Sequence, residues 1–361
     1  MSASLAILDF FCGCGGASAG FEAAGIPSVL GVDNNQAPLK TYLANHVGSK
    51  ALCADITNIS PAVLKSIMRN YRRKKRGVRF GWVMCPPCQD FSSLQSKSRR
   101  EQDGNRRSLV MASIQLFLKC SPSFLFLENV KGFYRSPEHF SAIEALEAGG
   151  YTVYSRLLCF ANYGLPQLRN RVIVVAIKKG GKPFIWPGET HTKTGGSLFA
   201  DLSSWRTVRD AISNLPPLSS GQACNDDPMH KCRFLEPMSL ERLRHTPEGG
   251  DWRNWPEHLL TPSKKRFKDN DLHSFLNNYG RLAWDKPSPT VLTNCISMSA
   301  SRAGHPDQLR SLSLRECARL QSFPDDFFFK GSSGAIARQI GNAVPPMIAR
   351  KIAECIAKAV L

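Results

Sequence analysis

The stretch from Leu5 to Asp33 restricts the fold more than any other part of the chain. Leu5 to Phe11 reads as a first strand, Gly13 to Gly16 as a tight turn, and Ala17 to Ala24 as a helix stopped by Gly25. Ser28 to Val32 then makes a second strand that ends at Asp33. Strand, glycine turn, helix, strand and acid, with the acid about 20 residues past the first glycine, is a nucleotide-binding unit. It predicts an α/β fold built on a doubly wound, mostly parallel sheet. The turn is Gly-Cys-Gly-Gly-Ala-Ser rather than Gly-x-Gly-x-x-Gly. Without the third glycine a pyrophosphate fits less well, and a ligand with an adenosine but no pyrophosphate fits better. Asp33 would take its ribose hydroxyls, and Asp55, after a third apolar stretch, its adenine amine. Taken singly, each acid is as readily a helix cap or loop residue; their position after successive strands favours the ligand.

A second stretch carries the chemistry. Phe80 to Met84 reads as a buried strand that Pro86-Pro87 must end, so Cys88 is delivered on a loop at the strand's carboxyl edge. Open α/β sheets put their chemistry at that edge. Followed by Gln89 and Ser92, Cys88 reads as an attacking thiolate beside groups that orient a planar substrate. The alternative is a Cys85/Cys88 metal or redox pair. No second Cys-x-x-Cys exists to complete a zinc site, and the redox version normally opens a helix, so no metal is expected. Gln95 to Arg107 is polar, basic and aperiodic, as lids are. Leu109 to Leu118 resumes a helix, and Phe124 to Leu127 is another buried strand ending in Glu128-Asn129-Val130. A carboxyl group there tends to have a raised pKa and can act as an acid, capping being its alternative role. Tyr151 to Phe160 and Val172 to Ile177 read as two more strands. Between them Arg169 and Arg171 stand at strand spacing on one face, to hold a carbonyl-rich or anionic ligand or to pair with surface acids.

Residues 61 to 79 carry a helical pattern ending in Arg-Arg-Lys-Lys-Arg, flanked by Arg69 and Arg79. A helix dipole favours cations at that end, so a solvated face is preferred over a phosphate clamp. The whole chain carries a net charge of +18, which attracts polyanions, nucleic acid foremost. Its 12 cysteines follow no regular framework, which suits a reducing cytoplasm. Asp9 interrupts the first apolar run and no stretch approaches membrane-spanning length, so a soluble, cytoplasmic protein without a membrane partner is expected. The length, 361 residues, favours two domains. From about residue 180 to Asp307 the alternation of strand and helix is lost. Tryptophans and bases mingle there, in Asp251-Trp252-Arg253-Asn254-Trp255 and near Lys264-Lys265-Arg266. Base and phosphate contacts use such mixtures, although small domains also need tryptophans for a core. Ser313 to Phe323 forms a helix. Pro345-Pro346 opens another, with Ile348, Ile352, Ile356 and Val360 on one side, which predicts that the C-terminus packs back on the first domain.

As a set, six segments resemble the C5-cytosine DNA methyltransferases. They are Asp9 to Gly16, Pro86 to Ser92, Glu128 to Val130, Gln167 to Arg171, Leu314 to Asp325 and Gln339 to Val344. They lie in the family's order and span nearly the whole chain. The resemblance implies a Rossmann-like catalytic domain at 1–195 plus 335–361, and a smaller irregular, mainly β target-recognition domain with hinge at 196–334. It makes Cys88 the nucleophile that adds to C6 of a cytosine flipped out of the duplex, so that C5 can take the methyl group of S-adenosylmethionine. Glu128 is similar to the residue that grips N3 and the exocyclic amine and donates a proton; Arg169 is similar to the one binding the carbonyl oxygen, with Arg171 beside it. A base, water in this pattern, removes the C5 proton and Cys88 leaves. A free thiol of pKa about 8.5 is only ~3% thiolate at pH 7 unless the arginines or substrate lower it.

For the cofactor, the resemblance sets Phe11 on the adenine, Asp33 on the ribose, and Asp55 and Ile56 at the adenine edge. Gly13, Gly16, Asn342 and Ala343 line the methionine end, Pro87 and Leu109 the rim, and Cys12, Cys14 and Asn34 complete the set. DNA contacts are expected from Gln89, Ser92, Arg106, Arg253, Lys264 and Lys265. The implied partner is double-stranded DNA, bound by a monomer associated with the nucleoid through DNA. A restriction endonuclease would act on the same site without binding the enzyme, or the system would be solitary. Two positions depart from the pattern. Met84-Cys85 replaces glycines before the prolines, and Asn34 replaces a larger residue over the adenine. The branch that methylates a tRNA cytosine carries Cys-Phe-Thr in its recognition region; here Cys159-Phe160-Ala161 lies elsewhere and lacks the threonine, which favours DNA. Intact Cys88, Glu128 and Arg169 argue against a DNA-binding paralogue that has lost activity.

Overall fold

The computed structural model describes residues 4–87, 105–196, 201–269 and 277–361, with 105–107 and 269 described by backbone alone. Seven strands form one sheet in the order β3-β2-β1-β4-β5-β7-β6. They are β1 (Ser4–Phe10), β2 (Ser28–Asp33), β3 (Lys50–Cys53), β4 (Val78–Met84), β5 (Phe124–Val130), β6 (Tyr151–Cys159) and β7 (Asn170–Lys178). The first five are parallel, and β7 runs antiparallel to both β5 and β6. The central strands read as continuous apolar runs because helices cover both their faces. On one face Trp82 packs with Leu64 and Met68 of α3 (Pro61–Lys74), Phe117 of α4 (Asn105–Cys120) and Leu146 of α5 (Pro137–Ala148). On the other, Phe126 packs with Phe21 of α1 (Gly16–Ala23) and with Ile348, Ile352 and Ile356 of the last helix, Pro346–Val360. The C-terminus thus packs back on the sheet and α1, as its apolar stripe predicts. The helix α2 (Gln36–Asn45) follows β2.

Some boundaries differ from the sequence reading. The first strand stops at Phe10, and Phe11 has a left-handed backbone, φ 57°. The helix expected over 61–79 ends at Lys74; Gly77, at φ 76°, reverses the chain, and Arg79 belongs to β4. The helix after the expected lid begins at Asn105, earlier than Leu109, and the helix expected over Ser313 to Phe323 is Leu314–Leu320.

The region between β7 and Leu314 is irregular, but not mainly β. Among the described residues its strands are β8 (His191–Thr192) and β9 (Ser203–Ser204), joined by isolated bridges and the short helices α6 (Val208–Ile212), α7 (Pro237–Arg244) and α8 (Pro262–Asp269). Arginines turned inward do part of the work of a ladder. The Arg281 guanidinium donates to the carbonyls of Thr246, Leu243, His305 and Gln308, and Arg302 donates to those of Gly249, Gly250 and Arg281. Main-chain acceptors inside a fold need donors, and here side chains supply them.

Beyond this region come α9 (Leu314–Leu320), α10 (Ser333–Asn342) and α11 (Pro346–Val360). A pair of buried glutamines ties them to the sheet. Gln167 Nε2 donates to Gln321 Oε1 (2.9 Å) and to the Leu320 carbonyl (3.0 Å), while its Oε1 accepts from Val291 N (2.9 Å). Gln321 Nε2 donates to the carbonyls of Ile340 (2.7 Å) and Ala343 (3.3 Å). Segments far apart in sequence are thereby fixed at one end of the sheet.

Candidate active site

The carboxyl ends of the parallel strands open into a cleft of about 2040 Å³. At one end the β1–α1 turn is shaped by its glycines, with φ 53° at Gly13 and 93° at Gly15. The Gly13 N–H donates to Asp33 Oδ2 (2.9 Å), and Asn35 N–H donates to Oδ1 (2.9 Å). Asp33 thus sits in a ring of main-chain donors at the end of β2. Burial raises its pKa, and these hydrogen bonds act in the opposite direction. Asp55 is exposed and caps the turn that starts at Ile56. Its Oδ1 accepts from the Thr57 hydroxyl (2.7 Å) and N–H (2.9 Å), which lowers its pKa. Gly16 meets the last helical segments so closely that a Cβ there would lie 2.6 Å from the Val344 carbonyl oxygen.

The other end is polar and cationic. Arg171 Nε lies 3.1 Å from Glu128 Oε1, without hydrogen-bond alignment, and both side chains are largely buried. Glu128 is still within β5, opposite Ile173 of β7. Arg169, 2% exposed, donates to the carbonyls of Val291 (3.4 Å), Gly341 (3.4 Å) and Ala343 (3.2 Å). It therefore joins the sheet, the loop around 291 and the end of α10.

The cleft lining brings together thirteen residues that the sequence assigns to a cofactor: Phe11, Cys12, Gly13, Cys14, Gly16, Asp33, Asn34, Asp55, Ile56, Pro87, Leu109, Asn342 and Ala343. Glu128, Arg169 and Arg171 line it as well. Cys88, Gln89 and Ser92 lie outside the described residues, and Arg106 is described only by its backbone in α4. Three other thiols line the cleft. Burial holds Cys12 protonated, lifts Cys14 to about 12, and raises Cys85, where the Glu128 and Asp9 carboxylates add to the effect.

A family model for C-5 cytosine-specific DNA methylase matches residues 5–358 of this chain. The chain belongs to the C-5 cytosine-specific DNA methylases. The Type II methylase M.HgiDII of Herpetosiphon aurantiacus is 34% identical over 358 residues, 97% of this chain and 94% of that protein. The Type II methyltransferase M1.HphI of Haemophilus parahaemolyticus is 33% identical over 362 residues, 98% and 87% of the two chains. In fold, this methylase resembles the Entamoeba histolytica methyltransferase EhMeth, with TM-score 0.64, 15% identity and 98% of each chain covered. It is thus an enzyme of DNA cytosine-5 methylation.

Of the three bases that the sequence offers for DNA contact between residues 196 and 334, none of which lines the cleft, Lys264 departs from that reading. Lys264 is buried, with its ammonium 4.6 Å from the Trp252 ring centroid, and burial lowers its pKa. It is turned into the domain rather than toward a phosphate. Arg253 forms a two-pronged pair with Asp251 (2.9 and 2.8 Å), and exposed Lys265 lies 3.4 Å from Glu257.

Other cleft residues escaped the sequence reading. Asp9 is buried at the end of β1. Its Oδ2 accepts from the Ser18 hydroxyl (2.6 Å), its Oδ1 has no hydrogen-bond partner, and burial raises its pKa to about 7. An acid closing an apolar run just before a glycine turn was the available signal. Lys131, Tyr134 and Arg135, just beyond Glu128, line the cleft, as do Thr290 and Thr293. The last two stand in an irregular stretch whose sequence carries no periodic signal. Among the described residues no group of three or more His, Cys, Asp or Glu could hold a metal, and no helix is long and apolar enough to cross a membrane.

Proposed function

We propose that this methylase uses Cys88 to activate a flipped-out cytosine in a specific duplex DNA site, and that C5 takes its methyl group from S-adenosylmethionine. The observation that carries the reading is the single cleft. One end has an acid ringed by main-chain donors, the other a carboxylate paired with an arginine, and Pro87, the residue before Cys88 in sequence, lines it.

The residues present fit S-adenosylmethionine. Asp33 and the Gly13 turn suit a ribose, Phe11 offers a ring to the adenine, and Asp55 and Ile56 stand at the adenine edge. Gly16, Asn342 and Ala343 suit the methionine end, and nothing in the turn demands a pyrophosphate. When bound, this cofactor supplies an electrophilic methyl group on a sulfonium.

The chain's own residues would do the rest. The Cys88 thiolate adds to C6 while Glu128, which takes up a proton from solvent as the base enters, holds N3 and donates that proton there, so C5 gains electron density. Arg171 holds Glu128 in place. Arg169 supports the walls between the two halves and stands near the base's carbonyl oxygen. Water removes the C5 proton as Cys88 leaves. Flipping is required because a stacked base cannot be reached from the side. We assign 1–195 with 335–361 to catalysis and 196–334 to target recognition. The enzyme would act as a monomer in the cytoplasm, on the nucleoid. The likeness to Type II enzymes supports a restriction-modification setting, with the endonuclease acting on the same site and not bound.

The test uses duplex DNA containing 5-fluorocytosine and labelled S-adenosylmethionine. The wild-type enzyme should form a denaturation-resistant complex, and Cys88→Ser should lose the complex and methyl transfer while still binding DNA. A wild-type enzyme that methylates cytosine without trapping, or a fully active Cys88→Ser, would overturn the assignment.

A further inference from the structure

The basic run before β4 does not stand alone in the folded chain. Lys65, Arg69, Arg72, Arg73, Lys74, Lys75, Arg76 and Arg79 make eight cations with no acid among them, since no Asp or Glu lies between Asp55 and Asp90. The run ends at β4's amino end, the sheet edge opposite the cleft. Three other segments converge on that edge. Lys119 closes α4, just before β5. Lys178 ends antiparallel β7, where its N–H donates to the Ser123 carbonyl and its Nζ to the Ser121 hydroxyl (2.7 Å). Lys179 N–H donates to the Gly150 carbonyl, and Lys182 N–H to that of Ala359, next to Lys358. The Arg79 guanidinium reaches the Val360 carbonyl and links this last segment to β4.

All these cations are exposed, and among the described residues none forms an ion pair. Acids are nearly absent nearby: none lies between Asp103 and Glu128 or between Glu147 and Glu189. The Glu147 carbonyl accepts from Gly150 N–H, which brings that acid toward the edge, and Glu354, one turn before Lys358 in α11, pairs with Arg350 (2.8 Å). A helix dipole accounts for the cations in the last turns of α3, α4 and α11, but not for Lys178, Lys179 and Lys182 at and beyond the end of β7. Across β4, β5, β7 and β6 the edge spans roughly 14 Å at the usual strand spacing. A duplex of that length carries about eight phosphate charges.

We infer that this edge is a second DNA-binding surface, which holds the phosphate backbone of a duplex segment other than the one in the cleft. Charge and the enzyme's own substrate select the ligand: the polyanion this methylase meets at every encounter is duplex DNA. A duplex in the cleft leaves the opposite edge open, so one enzyme can hold two segments and pass between them. The inference rests on the proposed function only for the choice of duplex.

The test is a two-duplex capture. Full-length enzyme is bound to a bead-linked duplex containing its site, and a fluorescent duplex lacking the site is added at 50 mM salt. Wild type should retain the second duplex. A quadruple variant, Arg73→Glu, Lys74→Glu, Lys75→Glu and Arg76→Glu, should retain at least 10-fold less, while its methylation of a short duplex stays within 2-fold and its melting temperature is unchanged. Four released phosphate contacts should also make wild-type capture fall about 100-fold between 50 and 200 mM salt. No wild-type capture, or equal capture by the variant, would overturn the inference. So would a single-stranded RNA or an anionic phosphatidylserine vesicle that competes more than 10-fold better than duplex DNA. Methylation of the short duplex is read in the same samples, so a failed capture is separable from a failed assignment of the activity.

Discussion

Arg171 and Glu128 meet across the antiparallel pair of β7 and β5, with Nε 3.1 Å from Oε1 and side-chain exposures of 15% and 10%. Removing one partner leaves the other charge largely buried and uncompensated. For fully buried pairs that costs 3–5 kcal/mol, and partial solvation here reduces it to about 2 kcal/mol. Arg171→Ala should therefore lower the melting temperature and let the Glu128 carboxylate leave its position. Single-turnover methyl transfer should fall by at least ~100-fold, the scale of a general-acid contribution, with DNA affinity changed far less. An Arg171→Ala enzyme with wild-type turnover would show that Glu128 needs no such support.

Two glycines of α1 separate packing from ligand binding. A Cβ on Gly20 would lie 2.3 Å from the Pro346 carbonyl oxygen and 2.5 Å from Ala349 Cβ, so it would push α1 away from α11. A Cβ on Gly16 would instead meet Val344 O at 2.6 Å and Ala343 Cβ at 3.1 Å, inside the cleft wall. Overpacking of this kind costs about 1–3 kcal/mol. Both Gly→Ala changes should reduce thermal stability, but only Gly16→Ala should weaken S-adenosylmethionine binding about 10-fold or more by calorimetry. Equal cofactor affinities in the two variants would remove Gly16 from the site.

The parallel part of the sheet was legible because its signals are local. An apolar run that must be buried on both faces, a glycine turn and an acid at the next strand's end suffice to bring Gly13 and Asp33 together. The irregular stretch between β7 and Leu314 was not legible for a definite reason. A basic residue beside a tryptophan reads the same whether its charge faces a phosphate or a carbonyl. Only the folded chain turns Arg281, Arg302 and Lys264 inward, where they replace ladder hydrogen bonds or sit over a ring. Gln167 and Gln321 failed for distance alone, since no spacing rule connects residues so far apart in sequence.

That glutamine pair makes a prediction of its own. Gln167→Ala would strand the Val291 N–H, the Leu320 carbonyl and Gln321 Oε1 in a buried site, at about 1–3 kcal/mol for each group left without a partner. The loop around 291 and the 340–343 segment should loosen together. Hydrogen exchange should speed up at both places in Gln167→Ala, and thermal stability should fall by several degrees. Faster exchange at only one of them would mean that the clasp is not a single unit.

Asp9 yields a pH dependence of known direction. Its carboxyl is buried, shares Ser18 as a donor, and faces the carboxylates of Asp33 and Glu22. Burial first, then those charges, raise its pKa from the usual 3.8 to about 7. An acid with a raised folded-state pKa binds its proton more tightly when folded, so its contribution to stability is complete below pH 3.8 and is lost as pH rises through 7. Between pH 5 and pH 8 the titrating span is about two units, or roughly 3 kcal/mol. Asp9→Asn removes this titration and keeps a side chain that can accept from Ser18. Relative to wild type, Asp9→Asn should therefore gain about 3 kcal/mol in urea unfolding when the pH is raised from 5 to 8. Because Asp9 lines the cleft beside the glycine turn, deprotonation would also put a negative charge next to any ligand held there. Wild-type affinity for S-adenosylmethionine, a cation, should then rise with pH across the same window, and that of Asp9→Asn should not. A stability difference that stays flat from pH 5 to 8 would show that Asp9 is already ionised in the folded enzyme and that its buried charge is balanced by another group.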